Sequence, residues 1–150
     1  MWMLCRNSTF AKKNSEMTLE ERIVQSRTHH FMTVFPFTTN HHDTLFGGKA
    51  MAIMDEVTFM CATRFCRKPL VTVASDKINF AKAIPAGSMI EAIAEVVHVG
   101  RTSLKVKVEL FLENMYKDGR ELAVEGTFTL VALDKDKKPV PVLEGLEIME

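Results

Sequence analysis

Gly47-Gly-Lys-Ala-Met-Ala-Ile-Met-Asp55-Glu-Val-Thr-Phe-Met-Cys61-Ala-Thr-Arg64 is the stretch on which the fold turns. From Lys49 to about Arg64 it is built of good helix formers and holds no proline. Met51, Met54, Thr58, Cys61 and Phe65 recur at helical spacing, and most of the remaining face is apolar too. A helix apolar on nearly all sides belongs in an interior, so this one is predicted to be buried. Pro69 ends the segment. Gly47-Gly48 opens it behind a loop, Thr38–Phe46, that carries Asn40, His41, His42 and Asp43.

Upstream of that loop, His30–Phe37 is rich in Phe, Val and Thr and reads as a strand, with Pro36 marking an edge or an end. Thr18 followed by Glu21 is a capping box, predicting a short helix to about Ser26. Met1–Ser15 carries Arg6, Lys12 and Lys13 with no acid. It reads as a disordered leader or an over-long gene start rather than a transit peptide, since Met17 is itself a possible first residue.

Downstream, the pattern is all strand. Leu70–Phe80 and Met89–Val99 flank a turn at Ile84-Pro-Ala-Gly87, and Gly100 breaks the second run. Leu104, Val106, Val108, Leu110 and Leu112 alternate with charged residues, a half-buried strand with one wet face. Asp118-Gly119 turns the chain into Glu121–Leu133. One buried helix and four or five antiparallel strands predict an α+β fold, a curved sheet wrapped around one long central helix. The expected division is a leader and short helix over 1–28, a packed domain over 29–141 and a tail over 142–150.

Composition narrows the function classes. The 150 residues suit one domain, and 47% hydrophobic content supplies a core. Nineteen basic residues balance nineteen acidic ones, which gives no general attraction to nucleic acid or an anionic membrane. No apolar run is long enough for a membrane span. Cys5, Cys61 and Cys66 are odd in number and lack metal-type spacing, which fits reduced thiols and a cytoplasmic setting.

The run Asn40-His-His-Asp-Thr-Leu-Phe-Gly-Gly-Lys-Ala-Met-Ala-Ile-Met-Asp55-Glu resembles the signature of hotdog-fold acyl-CoA thioesterases. It is most similar to the YciA-like and cytosolic brain-type acyl-CoA hydrolases. Val71–Phe80, Pro85-Ala-Gly87, Gly100-Arg-Thr-Ser103 and Lys138-Pro-Val-Pro141 extend the similarity in the same order, so that it covers roughly Phe31 to Pro141. The resemblance implies a hotdog fold and hydrolysis of acyl-CoA to free acid and coenzyme A. In such a family the equivalent of Asp55 acts on the carbonyl carbon as general base or nucleophile, and the equivalent of Asn40 positions water or substrate. It also implies nucleotide contacts near Arg101, Thr102 and Ser103. No cofactor or metal is implied, coenzyme A being part of the substrate. His41-His42-Asp43 departs from the small residues usual there.

Thioester hydrolysis explains why these residue types are useful. Water must be activated and the developing oxyanion met by fixed donors. Gly47 and Gly48 at a helix start offer backbone N–H groups without intrahelical partners, at the positive end of the helix dipole. Lacking Cβ, they let a thioester oxygen approach the backbone closely.

Spacing adds a constraint. Asp55 lies eight residues beyond Gly47, about 12 Å along a helix. A reacting carbonyl needs its oxyanion donors and its attacking group each within about 3 Å. A two-fold dimer resolves the conflict, with Asn40 and Gly47 of one subunit facing Asp55 of the other. The resembling family builds its dimers this way and often assembles trimers of dimers.

Each assignment has a structural competitor. Asp55 can point outward beside Glu56, Asn40 can serve as a turn residue, and Gly47-Gly48 can be a tight entry into the helix. The pair His41-His42 invites zinc, but adjacent histidines on a loop rarely converge on one ion and no third lies at helical spacing. Arg101, Thr102 and Ser103 offer charge and hydroxyls to phosphate, with Lys77 and Lys82 as weaker candidates. Cys61 and Cys66 read as core thiols. Two rival functions are a hotdog hydratase and a non-catalytic acyl-CoA-binding module.

Overall fold

The computed structural model describes residues 16–145. The capping box forms as read: the Thr18 hydroxyl accepts from the Glu21 amide, the Glu21 carboxylate accepts from the Thr18 amide, and helix α1 runs Leu19–Ser26. Strand β1 is Thr28–Thr33. Its expected span ran to Phe37, but Pro36 cannot donate to a ladder, and Pro36–Thr38 instead forms a single 3-10 turn. Helix α2, Gly47–Cys66, extends the predicted span by two residues at each end. Strands β2 (Leu70–Phe80), β3 (Met89–Val99), β4 (Ser103–Glu113) and β5 (Arg120–Ala132) follow, each starting or ending within one residue of the sequence reading.

The five strands make one antiparallel sheet in the order β1-β3-β4-β5-β2. Alternation decides its faces. Ile90, Ala92, Ala94 and Val96 of β3, with Val106, Val108 and Leu110 of β4, are fully buried and belong to one core with Ile53, Met54, Val57, Cys61 and Phe65 of α2. The helix touches all five strands. Gly126 of β5 makes room for it: a Cβ there would lie 2.9 Å from Ile78 Cγ1 and 3.1 Å from Met54 Cε.

The expectation of a helix buried all round is corrected. Met51, Ala52, Asp55, Glu56 and Phe59 face outward. A single sheet covers one side of a helix, and among the described residues these positions on the other side are left uncovered. Strand β2 is the sheet edge beside it, exposed along almost its whole length, Val71 and Val73 included. At the far end packing runs through Val142, which is fully buried and donates its amide to the Arg101 carbonyl. Cys61 and Cys66 are buried free thiols, while Cys5 and the Met1–Ser15 segment lie outside the described residues. Among the described residues no helix is long and apolar enough to cross a membrane.

Candidate active site at the start and open face of helix α2

Helix α2 begins without a side-chain cap. Phe46 occupies the cap position, and the first turn carries no acidic residue. The first N–H groups of the helix therefore have no side-chain cap, and no first-turn carboxylate neutralises the positive end of the dipole, an arrangement suited to an anion or an oxyanion. Packing within the chain does not demand glycine at either position. A Cβ on Gly47 would meet Phe80 at 3.7 Å and one on Gly48 would meet Phe46 at 3.6 Å, both ordinary contacts.

The loop before the helix is held by Asn40. Its Oδ1 accepts from the amides of His42 (2.9 Å) and Thr44 (3.3 Å) and from the Thr44 hydroxyl (3.2 Å). The turn role is thus real, and it occupies the side-chain oxygen; Nδ2 has no partner among the described residues. Asp43 sits at φ 58°, the left-handed region that Asp tolerates better than most residues. His41 and His42 are exposed, with ring centroids 3.8 Å apart. Among the described residues no group of three or more His, Cys, Asp or Glu side chains is placed to hold a metal. Backbone bonds from Leu45 to Ile84 and from Ala86 to Asp43 tie the loop to the 84–87 turn, and one from Phe46 to Thr38 closes the loop on itself.

Asp55 stands two turns into the helix on its open face. Its Oδ1 accepts from the Thr72 hydroxyl at 2.8 Å, joining the helix to edge strand β2. Thr72 is the functional candidate that sequence reasoning missed. Between Val71 and Val73 it reads as one more β-branched strand former, and the one available signal was a hydroxyl on a strand that must pass beside the helix.

The remaining candidates separate. Arg101, Thr102 and Ser103 form the β3–β4 turn, where the Thr102 carbonyl accepts from Ala132 and the Ser103 carbonyl from Gly100; the Arg101 side chain is exposed. Lys77 is on β2 in a bulge between Asp76 and Asn79, at φ 51°. Val71 aligns with Val131, which aligns with Ser103, so Lys77 lies six residues, about 20 Å, further along the sheet. One chain does not bring Lys77 to the Arg101 turn. Lys82 pairs with Glu121.

The fold and these groups define a sheet-wrapped helix with an open amide end and an exposed carboxylate. The thioesterase superfamily pattern matches residues 42–118, and the chain belongs to that hotdog-fold family. An acyl-CoA thioester hydrolase of Bacillus subtilis, YkhA, is 41% identical over 109 residues, covering 73% of this chain and 63% of its own length. This chain thus spans a little under two thirds of that relative. The acyl-CoA hydrolase of Staphylococcus aureus, solved with butyryl coenzyme A, coenzyme A and coenzyme A disulfide, superposes with TM-score 0.77 at 33% identity over 79% of this chain and 73% of that one. Variants of the same enzyme replacing an aspartate, a threonine or an asparagine with alanine have also been solved. A hexameric acyl-CoA thioesterase superposes with TM-score 0.77 at 35% identity, over 79% of this chain and 76% of that one.

Proposed function

We propose that this protein hydrolyses acyl-CoA thioesters, of short to medium chain or broader range, to the free carboxylic acid and coenzyme A, as a homodimer or a higher assembly of dimers. The observation that carries this reading is the Asp55–Thr72 hydrogen bond on the open face of α2. It fixes Oδ1 and leaves Oδ2, which has no partner among the described residues, to act on the substrate. The aspartate, threonine and asparagine replaced in the S. aureus hydrolase are separated so that the asparagine precedes the aspartate by 15 residues and the threonine follows it by 17. Asn40, Asp55 and Thr72 have the same separations here.

In the reaction, the thioester oxygen accepts hydrogen bonds from the Gly47 and Gly48 amides, which meet the charge that develops there. Asp55 acts on the carbonyl carbon, directly or by taking a proton from water as it attacks. The carbon–sulfur bond then breaks and coenzyme A leaves as thiolate to be protonated; on the direct route water then hydrolyses the acyl–Asp55 anhydride, releasing the free acid and restoring the carboxylate. Thr72 is a positioning residue that holds the carboxylate, and the Asn40 amide orients water or substrate. Because Asp55 and Gly47 are about 12 Å apart along one helix, each site takes them from different subunits. Arg101, Thr102 and Ser103, with Lys77 supplied from elsewhere in the assembly, are proposed contacts for the coenzyme A phosphates. The reaction needs no metal or separate cofactor, and its proposed setting is the cytoplasm.

Thiol release from acetyl- to palmitoyl-CoA, with benzoyl-CoA and one branched chain, tests the reading. Folded Asp55→Ala is expected to lose at least about a hundredfold in rate. Thr72→Ala is expected to lower kcat, with Thr72→Ser restoring it. Tight acyl-CoA binding by the wild type without thiol release would replace the hydrolase by a binding module.

A further inference from the structure

We propose that Phe80 and Phe46 select the acyl group, admitting straight-chain thioesters and turning away those branched at the carbon next to the carbonyl. The inference rests on the reading that the Gly47 and Gly48 amides receive the thioester oxygen. The two rings border those two glycines. A Cβ built on Gly47 would lie 3.7 and 3.9 Å from Cε1 and Cζ of Phe80; one built on Gly48 would lie 3.6 and 3.9 Å from Cδ1 and Cε1 of Phe46.

Both rings are half exposed, Phe80 at 51% and Phe46 at 58%. Burial in the chain's own core does not account for their placement, and apolar surface left in water carries a cost. Both are also firmly mounted. Phe80 is the last residue of β2, aligned with Val124 of β5. The Phe46 amide donates to the Thr38 carbonyl, and its own carbonyl accepts from Ala50 in the first turn of α2.

A carbonyl oxygen bonded to these amides sits about 2.9 Å from a donor nitrogen. The acyl carbon beyond the carbonyl is two bonds from that oxygen, beside the same two glycines that the rings border, so the rings are the apolar groups nearest to hand for it. An unbranched chain passes along the rings and gains apolar contact, whereas a second methyl on the same carbon must displace one of them. Neither ring belongs to the group that attacks, so trimming a ring changes selection without removing Asp55.

The test compares kcat/KM for n-butyryl-CoA and isobutyryl-CoA, read as thiol release by the wild type, Phe80→Ala and Phe46→Ala. The wild type is expected to favour the straight chain. Phe80→Ala is expected to raise the isobutyryl-to-butyryl ratio about tenfold, the discrimination a pocket exerts on about one carbon, and Phe46→Ala to move it the same way. An unchanged ratio in folded, active variants overturns the inference and leaves the hydrolase reading intact. Absence of thiol release from every acyl-CoA by the wild type overturns both. If Phe80→Ala fails to fold, Phe80→Leu, which removes the ring and keeps an apolar side chain, decides by the same ratio.

Discussion

Two glycines at the head of α2 carry a test that separates chemistry from packing. Alanine is the better helix former, by up to about 1 kcal/mol, and a methyl on Gly47 meets nothing closer than the Phe80 ring at 3.7 Å. Gly47→Ala should therefore keep or raise the thermal midpoint while lowering thiol release at least about tenfold, because in the proposed site the methyl stands where the thioester oxygen approaches. A variant equally stable and equally active would return Gly47 to the role of a simple turn residue. Cys61 makes the opposite point. Burial pushes its thiol up to about 11, against weaker lowering influences from a hydrogen bond with Ser26 and the charge of Arg64. A thiol so placed is a packing residue rather than a nucleophile.

At the scale of elements, β5 and β3 hold features that set the geometry from behind. Gly126→Ala would drive a methyl to 2.9 Å from Ile78 and 3.1 Å from Met54, with the Ile78 backbone at 3.4 Å. Backbone cannot yield as a side-chain tip does, so the substitution should cost about 1–3 kcal/mol in denaturant unfolding. It should also disturb β2, whose bulges lie between Thr72 and Ala74 and between Asp76 and Asn79. On the opposite face of the sheet Glu91, 7% exposed, accepts from His29 Nδ1 at 2.8 Å and pairs with Arg120, whose guanidinium lies 4.2 Å over the Phe111 ring. Burial pushes the Glu91 carboxyl up, but the His29 hydrogen bond and the Arg120 charge together outweigh it and hold it below the usual carboxylate range. A carboxyl lowered on folding stabilises at pH values above its unfolded value, about 4.3, and that contribution fades as pH falls through the lower folded value. Glu91→Gln should thus cost about 1 kcal/mol at neutral pH, Arg120 and His29 being partly exposed and screened. The cost should shrink towards zero in urea midpoints taken down to pH 3.

These elements show where the sequence could be read and where it could not. Strands β2 to β5 were legible because alternation and Gly-containing turns act within a few residues, and the α1 cap because both partners are three residues apart. The bulge at Lys77 was not, since it answers to the packing of Ile78 over Gly126, 48 residues away. For the same reason Asp55 was visible and its partner was not. A carboxylate in an apolar helix stands out in one dimension, whereas Thr72 matters through a contact across 17 residues. The helix face was misjudged because apolar composition marks what becomes buried without saying which chain does the burying.

That last point belongs to the whole molecule. Met51 and Phe59 of α2 and Phe80 at the end of the neighbouring edge strand are exposed. A row of apolar side chains beside an unpaired strand edge is a surface that another chain must cover or that invites aggregation. With Asp55 on that face and Gly47 about 12 Å away along the helix, the proposed dimer is one in which a second copy covers the face and completes each site. Subunit mixing tests this without any structure of the assembly. Gly47→Ala and Asp55→Ala each impair every site in their own homodimers. In a mixed dimer, one site takes intact Gly47 from the Asp55→Ala chain and intact Asp55 from the Gly47→Ala chain, while its twin lacks both. Random reassociation of equal amounts makes half the dimers mixed, so about a quarter of wild-type activity should return. If both groups served the same substrate from within one chain, mixing would restore nothing.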